Sequence, residues 1–528
     1  MPLKVFWGER MGIVRVRKGF HEARWEEPIV FELSNEGERG ILIPIDDKIK
    51  REVGDVLSSI PEHMRRKDPP RLPEISQMRV LKHYLRLSQE TLGADLNIDI
   101  GQGTCTMKYS PKVNERFVSM VRELHPYQDE ETVQGALEIM YKLDLFLREI
   151  SGLDRFSFQP GGGSQAIFAM ASIIRAYHKK RGEDRDEIIT TIFSHPSDAA
   201  APAVKGFKVI TIYPDPETGI PDVEALKAAV SRRTAGMIVA NPEDTGIFNP
   251  RIKEFCDIVH EAGGLCGYDQ ANANGIIGIV RARECGFDMG FFNLHKTFSS
   301  PHGCGGPAVG ALGVRKELET FLPVPVVDYD PAKRLYYLNY DLPDTIGKVR
   351  EFYGVFPVVV RAYAWIMALG EEGLKEVAEI AVLNNNYVMH RILREIRGAD
   401  ISYPANKRRI EQVRYSLKKL KDETGVGAED VIRRMADFGF HLWTSHHPWI
   451  IPEPLTIEPT ESYSKEELDE YIEALKEVFR EAYEEPETVI NAPHRSVIHK
   501  IEDNSWFSDP KKWSITWRLF LKKHGGKL

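Results

Sequence analysis

The stretch RIKEFCDIVHEAGGLCGYD, residues 251–269, decides the fold class of this chain. Its first part, 251–260, carries apolar side chains at helical spacing, and the glycine pair 263–264 is typical of a helix end. A short apolar run, 265–269, follows at once and ends at Asp269. A helix that passes directly into a buried strand predicts one β-α-β unit of a parallel sheet.

Other apolar runs of strand length alternate with amphipathic stretches around that unit. These runs are residues 188–193, 209–213, 237–240 and 289–294. Strands separated by helices predict an α/β protein with a mostly parallel central sheet flanked by helices. The carboxyl ends of such strands meet at one edge, where open sheets bind ligands. We therefore expect His195, Asp269 and Lys296, which each end or follow a run, to converge on one cleft.

Changes of pattern divide the chain into four parts. We predict an N-terminal arm, a large domain, a smaller α+β domain and a tail, at residues 1–78, 79–357, 358–486 and 487–528. In the large domain, helical spacing of apolar residues over 131–150 predicts an amphipathic helix.

The smaller domain has a more helical pattern. Long helices are expected over residues 360–369, 374–393 and the charged stretch 408–437. Ser464 and Glu467 form a capping box that predicts the start of a later helix.

Composition narrows the class of protein. The chain has 528 residues, 42% of them hydrophobic, and its net charge of -8 supplies no basic face for nucleic acid or an anionic membrane. Its five cysteines lack both metal-ligand spacing and the density of a disulfide-stapled domain. Charges interrupt every apolar stretch at the N-terminus, and no run approaches the ~18 apolar residues of a membrane span. We expect a soluble, cytoplasmic protein without a metal site.

Lys296 and Asp269 suit the chemistry of pyridoxal 5'-phosphate (PLP). The cofactor needs an amine for its aldehyde and a carboxylate that keeps its pyridine nitrogen protonated, which makes the ring an electron sink. Taken alone, a lysine is more often a surface residue, and a strand-terminal aspartate more often shapes a turn. The two residues at successive strand ends favour the cofactor.

A glycine-rich stretch, QPGGGSQ at residues 159–165, precedes an apolar segment, 166–174, that reads as a helix. Glycines permit a tight turn with outward-pointing amides, and a helix N-terminus favours a phosphate. A plain glycine loop is the alternative for an isolated run. With Lys296 and Asp269 following in the chain, we predict that Gly163, Ser164 and Gln165 bind the cofactor phosphate.

Two histidines complete the predicted site. His195 could lie flat against the pyridine ring and reach toward a substrate carboxylate, and His295 beside Lys296 offers another hydrogen-bond donor. A lone histidine is usually structural, so the case for His195 rests on its expected place at a strand end, and loop shaping is the alternative role for His295.

The stretch NLHKTFSSPHG, residues 293–303, closely resembles the PLP-lysine motif of glycine dehydrogenase (decarboxylating), the P-protein of the glycine cleavage system, in its subunit 2 form. Supporting stretches are RVLKHYLRLSQ (79–89), CTMKY (105–109), ETVQGALE (131–138), DIVHEAGG (257–264), FLPVPVV (321–327) and IEPTE (457–461). The resemblance therefore covers most of the chain.

This resemblance implies the PLP-dependent transferase fold, fold-type I. It implies that Lys296 holds PLP as a Schiff base, that Asp269 faces the pyridinium and that His195 stacks on the ring, so that Lys296 and His195 are catalytic. It also implies decarboxylation of glycine with transfer of the aminomethyl group to lipoylated H protein. The implied assembly is a dimer of heterodimers with P-protein subunit 1.

The chain departs from the family pattern near the predicted cofactor. Ala166 and Ile167 stand where glycine and glutamate are usual, Asp198 where asparagine is usual, and Cys304 where glycine is usual. Lost polar partners change what a PLP site binds without preventing it from holding PLP. A PLP-dependent decarboxylase, lyase or aminotransferase for another amino acid, and a non-catalytic scaffold subunit, remain alternatives.

Overall fold

A computed structural model describes residues 16, 27–41, 46–68, 70, 72–90, 98–101, 103, 108–302, 306–404, 408–441 and 450–495. The chain divides into two compact units, one of residues 1–18 and 94–492 and the other of residues 19–93 and 493–528. The described helices of the second unit are α1 (Asp47–Val53) and α2 (Gln77–Gln89). The predicted domain boundaries after residues 78, 357 and 486 stay predictions.

The first unit contains the predicted alternation of helices and strands. Its described helices are α3 (Val113–Met120), α4 (Gln134–Ser151), α5 (Gly163–Lys180), α6 (Pro196–Val204), α7 (Val223–Ala229), α8 (Ile252–Glu261), α9 (Phe356–Glu395), α10 (Lys418–Thr424), α11 (Ala428–Asp437), α12 (Lys465–Glu484) and α13 (Pro486–Ile490). Its described strands are β1 (Arg155–Ser157), β2 (Glu187–Thr191), β3 (Lys208–Ile212), β4 (Thr234–Ala240), β5 (Leu265–Gln270), β6 (Met289–Asn293), β7 (Gly310–Val314), β8 (Val326–Asp330), β9 (Leu335–Asn339), β10 (Asp400–Ile401), β11 (Val413–Ser416) and β12 (Pro454–Ile457). Within the described ranges, no helix has the length and apolar character needed to cross a membrane.

The central sheet has the described strand order β1-β7-β6-β5-β4-β2-β3. Strands β2 to β6 pair in parallel, whereas β7 runs antiparallel to both β6 and β1. Every residue of β2, β5 and β6 is buried, which explains why these strands read as continuous apolar runs. The mostly parallel sheet is confirmed, and the carboxyl ends of β2, β4, β5 and β6 lie at one edge.

Helix α4 confirms the amphipathic helix predicted over 131–150. Its apolar residues Leu137, Met140, Leu143 and Leu147 are all buried in the core against the sheet. Gly152 ends the helix with φ 75°, a left-handed conformation that glycine adopts without steric cost.

The smaller region differs in part from the prediction. Helix α9 spans both predicted helices and is interrupted at Gly370, where φ is 67°. The helix expected over 408–437 is wrong in its first third, because β11 is the central strand of a three-stranded antiparallel sheet between β10 and β12, and the remainder forms two helices, α10 and α11. All four residues of β11 are buried, so pairing on both sides outweighs the helical propensity of the charged flanks.

The capping box at the start of α12 is confirmed. The Ser464 backbone N–H donates to the Glu467 carboxylate at 2.8 Å, and the Glu467 N–H donates to the Ser464 hydroxyl at 3.3 Å. Apolar residues of α9, α11 and α12 pack with β11 and β12 in a second core.

Candidate functional site

A cleft at the carboxyl ends of β4 and β5 brings together three of the predicted residues. Asp269, Lys296 and His195 all line it. The topology explains this, because Asp269 lies at the end of β5, Lys296 follows β6 and His195 follows β2, and these strands run in parallel.

Three hydrogen bonds hold the turn that carries Lys296. The Lys296 backbone N–H donates to the Asn293 carbonyl at 3.0 Å. The Thr297 hydroxyl accepts the Ala273 N–H at 2.9 Å and donates to the Asn272 side chain at 3.4 Å. These bonds join the turn of Lys296 to the segment that follows β5, and they thereby hold Lys296 and Asp269 at the same end of the sheet.

Asp269 is only 7% exposed, and its carboxylate accepts the backbone N–H of Ala271 at 2.8 Å. Burial raises the pKa of Asp269, whereas the Ala271 N–H and the positive charge of Lys296 oppose that rise. The positive charge of Lys296 favours the anionic form of Asp269. An anionic carboxylate is the group that keeps a cofactor ring nitrogen protonated.

His195 occupies the N-cap of α6, on the exposed wall of the cleft. Its Nδ1 accepts the backbone N–H of Ser197 at 3.2 Å, and the Ser197 hydroxyl lies 2.5 Å from the same nitrogen. The helix start therefore orients the imidazole and leaves its surface accessible from the cleft.

The glycine-rich stretch forms the N-terminus of α5, with Gly162 at the N-cap and a φ of 144°. A Cβ added to Gly162 would lie 4.0 Å from the His295 ring, which places the loop beside the lysine turn. A Cβ on Gly163 would come within 3.0 Å of the Asn293 side chain, so a larger residue would displace the loop. The backbone fits a phosphate cradle at a helix start.

Two side chains of this loop have different surroundings. The Gln165 side-chain oxygen accepts the Gly161 N–H at 2.7 Å, so this residue stabilises the loop itself. Ser164 is exposed in the first turn of α5, in a position to reach an anion at the helix start.

His295 is 9% exposed and lies 5.7 Å from His302 between ring centroids, with the ring planes nearly perpendicular. Burial, and then the charges of Lys296 and His302, lower the pKa of His295 to about 3. The ring is therefore neutral, and it offers a hydrogen bond rather than a positive charge.

Two buried glutamates, one lining the cleft and one behind its Asn272 wall, were not among the predicted site residues. Glu411 lines the cleft and accepts the Gly275 N–H at 3.2 Å, and burial raises its pKa to about 8. Glu458 accepts from the side chains of Asn272 at 2.6 Å and Asn274 at 3.3 Å, and burial raises its pKa well above the usual range. Glu458 lies in the stretch 457–461, which carries part of the family resemblance and could have marked it as a site residue.

Three of the departures from the family pattern can be located. Ala166 and Ile167 are buried in the core between α5 and the sheet, where they pack rather than line the cleft. Asp198 contacts the carboxyl group of Asp269. Cys304 lies outside the described residues.

His260, Cys266 and Asp288 form a cluster with metal-ligating side chains at the opposite edge of the sheet. Asp288 already accepts the Cys266 backbone N–H at 2.6 Å, contacts His260 at 2.8 Å and pairs with Arg315. Arg315 supplies the positive charge that balances Asp288. These contacts explain the cluster as a structural ion pair.

Solved structures place the fold in a known class. A glycine decarboxylase, the P-protein of the glycine cleavage system in inhibitor-bound form, matches with a TM-score of 0.69 at 21% identity, covering 83% of this chain and 99% of that one. A NifS-like protein matches with a TM-score of 0.54 at 18% identity, covering 72% of this chain and 99% of that one. Likeness at these identities establishes the fold, which is that of fold-type I, the PLP-dependent transferases.

Sequence relatives narrow this class to one family. A probable glycine dehydrogenase (decarboxylating) subunit 2 of Thermococcus kodakarensis is 48% identical over 511 residues, 96% of this chain and 99% of the relative. The protein of the same name from Caldanaerobacter subterraneus is 43% identical over 479 residues, 90% of this chain and 96% of the relative. The family model for the glycine dehydrogenase C-terminal domain matches residues 377–500. The chain belongs to the glycine dehydrogenase (decarboxylating) subunit 2 family.

Proposed function

We propose that this chain is the PLP-carrying subunit of a two-subunit P-protein that decarboxylates glycine and passes the aminomethyl group to the lipoyl group of H protein. The observation that supports this most is the meeting of Lys296, Asp269 and His195 in one cleft of a chain from this family. The glycine-rich start of α5 lies beside the same lysine turn.

The residues present fit PLP. Lys296 would hold the cofactor through its amine, and the start of α5, with Gly163 and Ser164, would bind the phosphate. Asp269 would face the ring nitrogen, and the accessible ring of His195 would cover one face. When bound, PLP supplies an electron sink for the electron pair that remains when CO2 leaves glycine.

Side chains and backbone groups of the protein would determine the charge of the bound cofactor and exclude water around it. Asp269, as a carboxylate, would hold a proton on the ring nitrogen, because opposite charges in a buried site stabilise each other. The buried carboxyl groups of Glu411 and Glu458 lie near enough to Lys296 to interact with it electrostatically. Fixed dipoles such as the Ala271 N–H replace water around these groups.

The proposed transfer balances without a further reagent. The bond between the glycine α-carbon and its carboxylate breaks, and CO2 leaves. The α-carbon uses the electron pair left behind by CO2 to form a bond to one lipoyl sulfur while the S–S bond opens, and the other sulfur leaves as a thiolate that takes one proton from solvent to become a thiol. The lipoyl disulfide is thus the oxidant, and H protein is the partner that brings it.

A partner subunit is part of the proposal, because the relatives are named as subunit 2 of a glycine dehydrogenase. We propose a dimer of heterodimers with subunit 1, in which this chain supplies the cofactor.

The test is exchange of labelled bicarbonate into glycine by the reconstituted protein. Both subunits, PLP and lipoylated H protein are mixed, and exchange is compared among the wild-type chain, Lys296→Ala and Lys375→Ala. Lys375 is an exposed residue paired with Glu379, so its variant is the matched control. We expect exchange for the wild type and the control, and a loss of about a thousandfold or more for Lys296→Ala.

A second arm separates the alternatives. Each amino acid is offered in place of glycine, and the visible absorption of bound cofactor is recorded for each variant. Absence of exchange with all components present contradicts the proposal. Turnover of another amino acid instead of glycine supports a different PLP enzyme, and a wild-type protein that stays colourless with PLP supports a scaffold.

A further inference from the structure

Asp198 is a buried carboxyl group that the chemistry above does not use. It lies in the first turn of α6, is 0% exposed and contacts the carboxyl group of Asp269. Among the residues that the structure describes, neither oxygen of Asp198 has a hydrogen-bond partner other than the neighbouring carboxyl group of Asp269.

Two carboxyl groups in contact inside a protein do not both ionise near neutral pH, because neither charge is solvated and they repel. A proton between them turns that repulsion into a hydrogen bond. The titratable and charged groups that face the pair are Lys296, Asp244, Glu411 and His195. The negative charge of Asp244 favours retention of one proton by the pair, although Arg414, 3.0 Å from Asp244, offsets part of that charge.

The surroundings also decide which group carries that proton. Asp269 accepts the Ala271 N–H at 2.8 Å and feels the positive charge of Lys296, and both favour its anion. Burial, followed by the charge of Asp269, raises the pKa of Asp198 well above its usual range. The α6 N-terminus favours an anion at Asp198, but a helix-end interaction is weaker than the cost of burying an unpaired charge.

We propose that Asp198 keeps the shared proton and donates it to Asp269, so that Asp198 is a positioning residue that holds Asp269 as the anion facing the cleft. The inference rests on the proposed function, in which Asp269 meets the ring nitrogen of PLP. At alkaline pH the proton is lost, the two carboxylates repel, and Asp269 loses its fixed orientation.

The first test is infrared spectroscopy of the full-length protein, without cofactor, at neutral pH. The difference between the wild type and Asp198→Asn isolates the C=O band of a protonated carboxyl group from those of other buried acids. We expect the variant to lack one such band, and we expect the wild type to lose it as the pH rises. Asp437→Asn is the matched control, because Asp437 is also a buried aspartate but is paired with Arg434 instead of with another acid.

The second test measures PLP affinity and the visible spectrum of bound PLP across pH. Asp198→Asn retains a donor for Asp269 but has no proton to lose, so its spectrum should not follow the titration seen in the wild type. Asp198→Leu has similar size and no donor, and we expect it to bind PLP about tenfold more weakly than Asp198→Asn.

The outcomes separate this inference from the proposed function. An unchanged infrared band in Asp198→Asn, or equal PLP affinity and spectra for the asparagine and leucine variants, overturns the role of Asp198. Failure of the wild type to bind PLP overturns the proposed function, and the infrared comparison still decides whether the carboxyl pair holds a proton.

Discussion

The two edges of the central sheet treat buried carboxyl groups in opposite ways. At the amino edge, Asp288 is 0% exposed and is matched by Arg315, His260 and the Cys266 N–H. At the carboxyl edge, Asp198 is equally buried and lies against another acid, Asp269.

This difference distinguishes structural from functional burial of charge. A buried acid with a cation and donors stabilises the fold, or at least does not oppose it. A buried acid without a cation at ion-pair distance has a raised pKa and opposes folding, and such groups cluster at sites that bind or react. Glu243, near the cleft, follows the same rule, because burial raises its pKa to about 8.

The largest effect that tests this comparison is expected from Asp269→Asn. The amide has the size of the carboxyl group but cannot hold a proton on a ring nitrogen by charge. We expect glycine-dependent bicarbonate exchange to fall by about 10²–10³, as for removal of one oriented electrostatic group. Thermal unfolding without cofactor should occur at the same or a higher temperature, because a buried acid with a raised pKa is removed. A large loss of stability would show that Asp269 belongs with the structural acids.

Asp288→Asn should give the reverse result. It leaves Arg315 without its buried partner, and we expect the free energy of unfolding to fall by about 3 kcal/mol. Exchange activity per folded molecule should stay within twofold of the wild type, as measured below the unfolding transition. If Asp288→Asn lost activity without losing stability, the Asp288 cluster would be part of the functional site and not a structural ion pair.

The last expected effect is a change in how stability depends on pH. The raised pKa of Glu411, about 8, means that the folded state binds a proton that the unfolded state releases near its ordinary value. Its stabilising contribution is complete below that ordinary value and is lost as the pH rises toward 8, by up to about 1.4 kcal/mol per pH unit.

Glu411→Gln should therefore unfold at a higher temperature than the wild type at pH 8 and at a similar temperature at pH 5, without cofactor. The glutamine side chain can still accept the Gly275 N–H. Glu371→Gln, at an exposed position lining a different groove, serves as the control. Parallel pH curves for Glu411→Gln and the wild type would contradict the assignment of a raised pKa to Glu411.

Local patterns were sufficient where a residue's role follows from its own element. The run that ends at Asp269 and the run before Lys296 are continuous because parallel strands are covered on both faces, and strand ends of parallel β-α-β units meet at one edge. The capping box at Ser464 is likewise a contact between residues three apart.

Local patterns failed where a strand depends on distant partners. Residues 413–416 are a buried central strand only because β10 and β12 pair with them, and the charges around them concealed that. The spacing of apolar residues in one segment predicts which of its faces is buried. It does not predict which other segments pair with it.

The sequence by itself determined the parallel sheet, the edge at which ligands gather, and the candidates Lys296, Asp269 and His195. Only the tertiary structure decided which groups surround them. Asp198 meets Asp269 from a neighbouring helix, and Glu411 and Glu458, more than a hundred residues away in the sequence, interact electrostatically with Lys296. Charge and pKa in a buried site are set by neighbours in space, and those neighbours follow from long-range packing rather than from any local spacing.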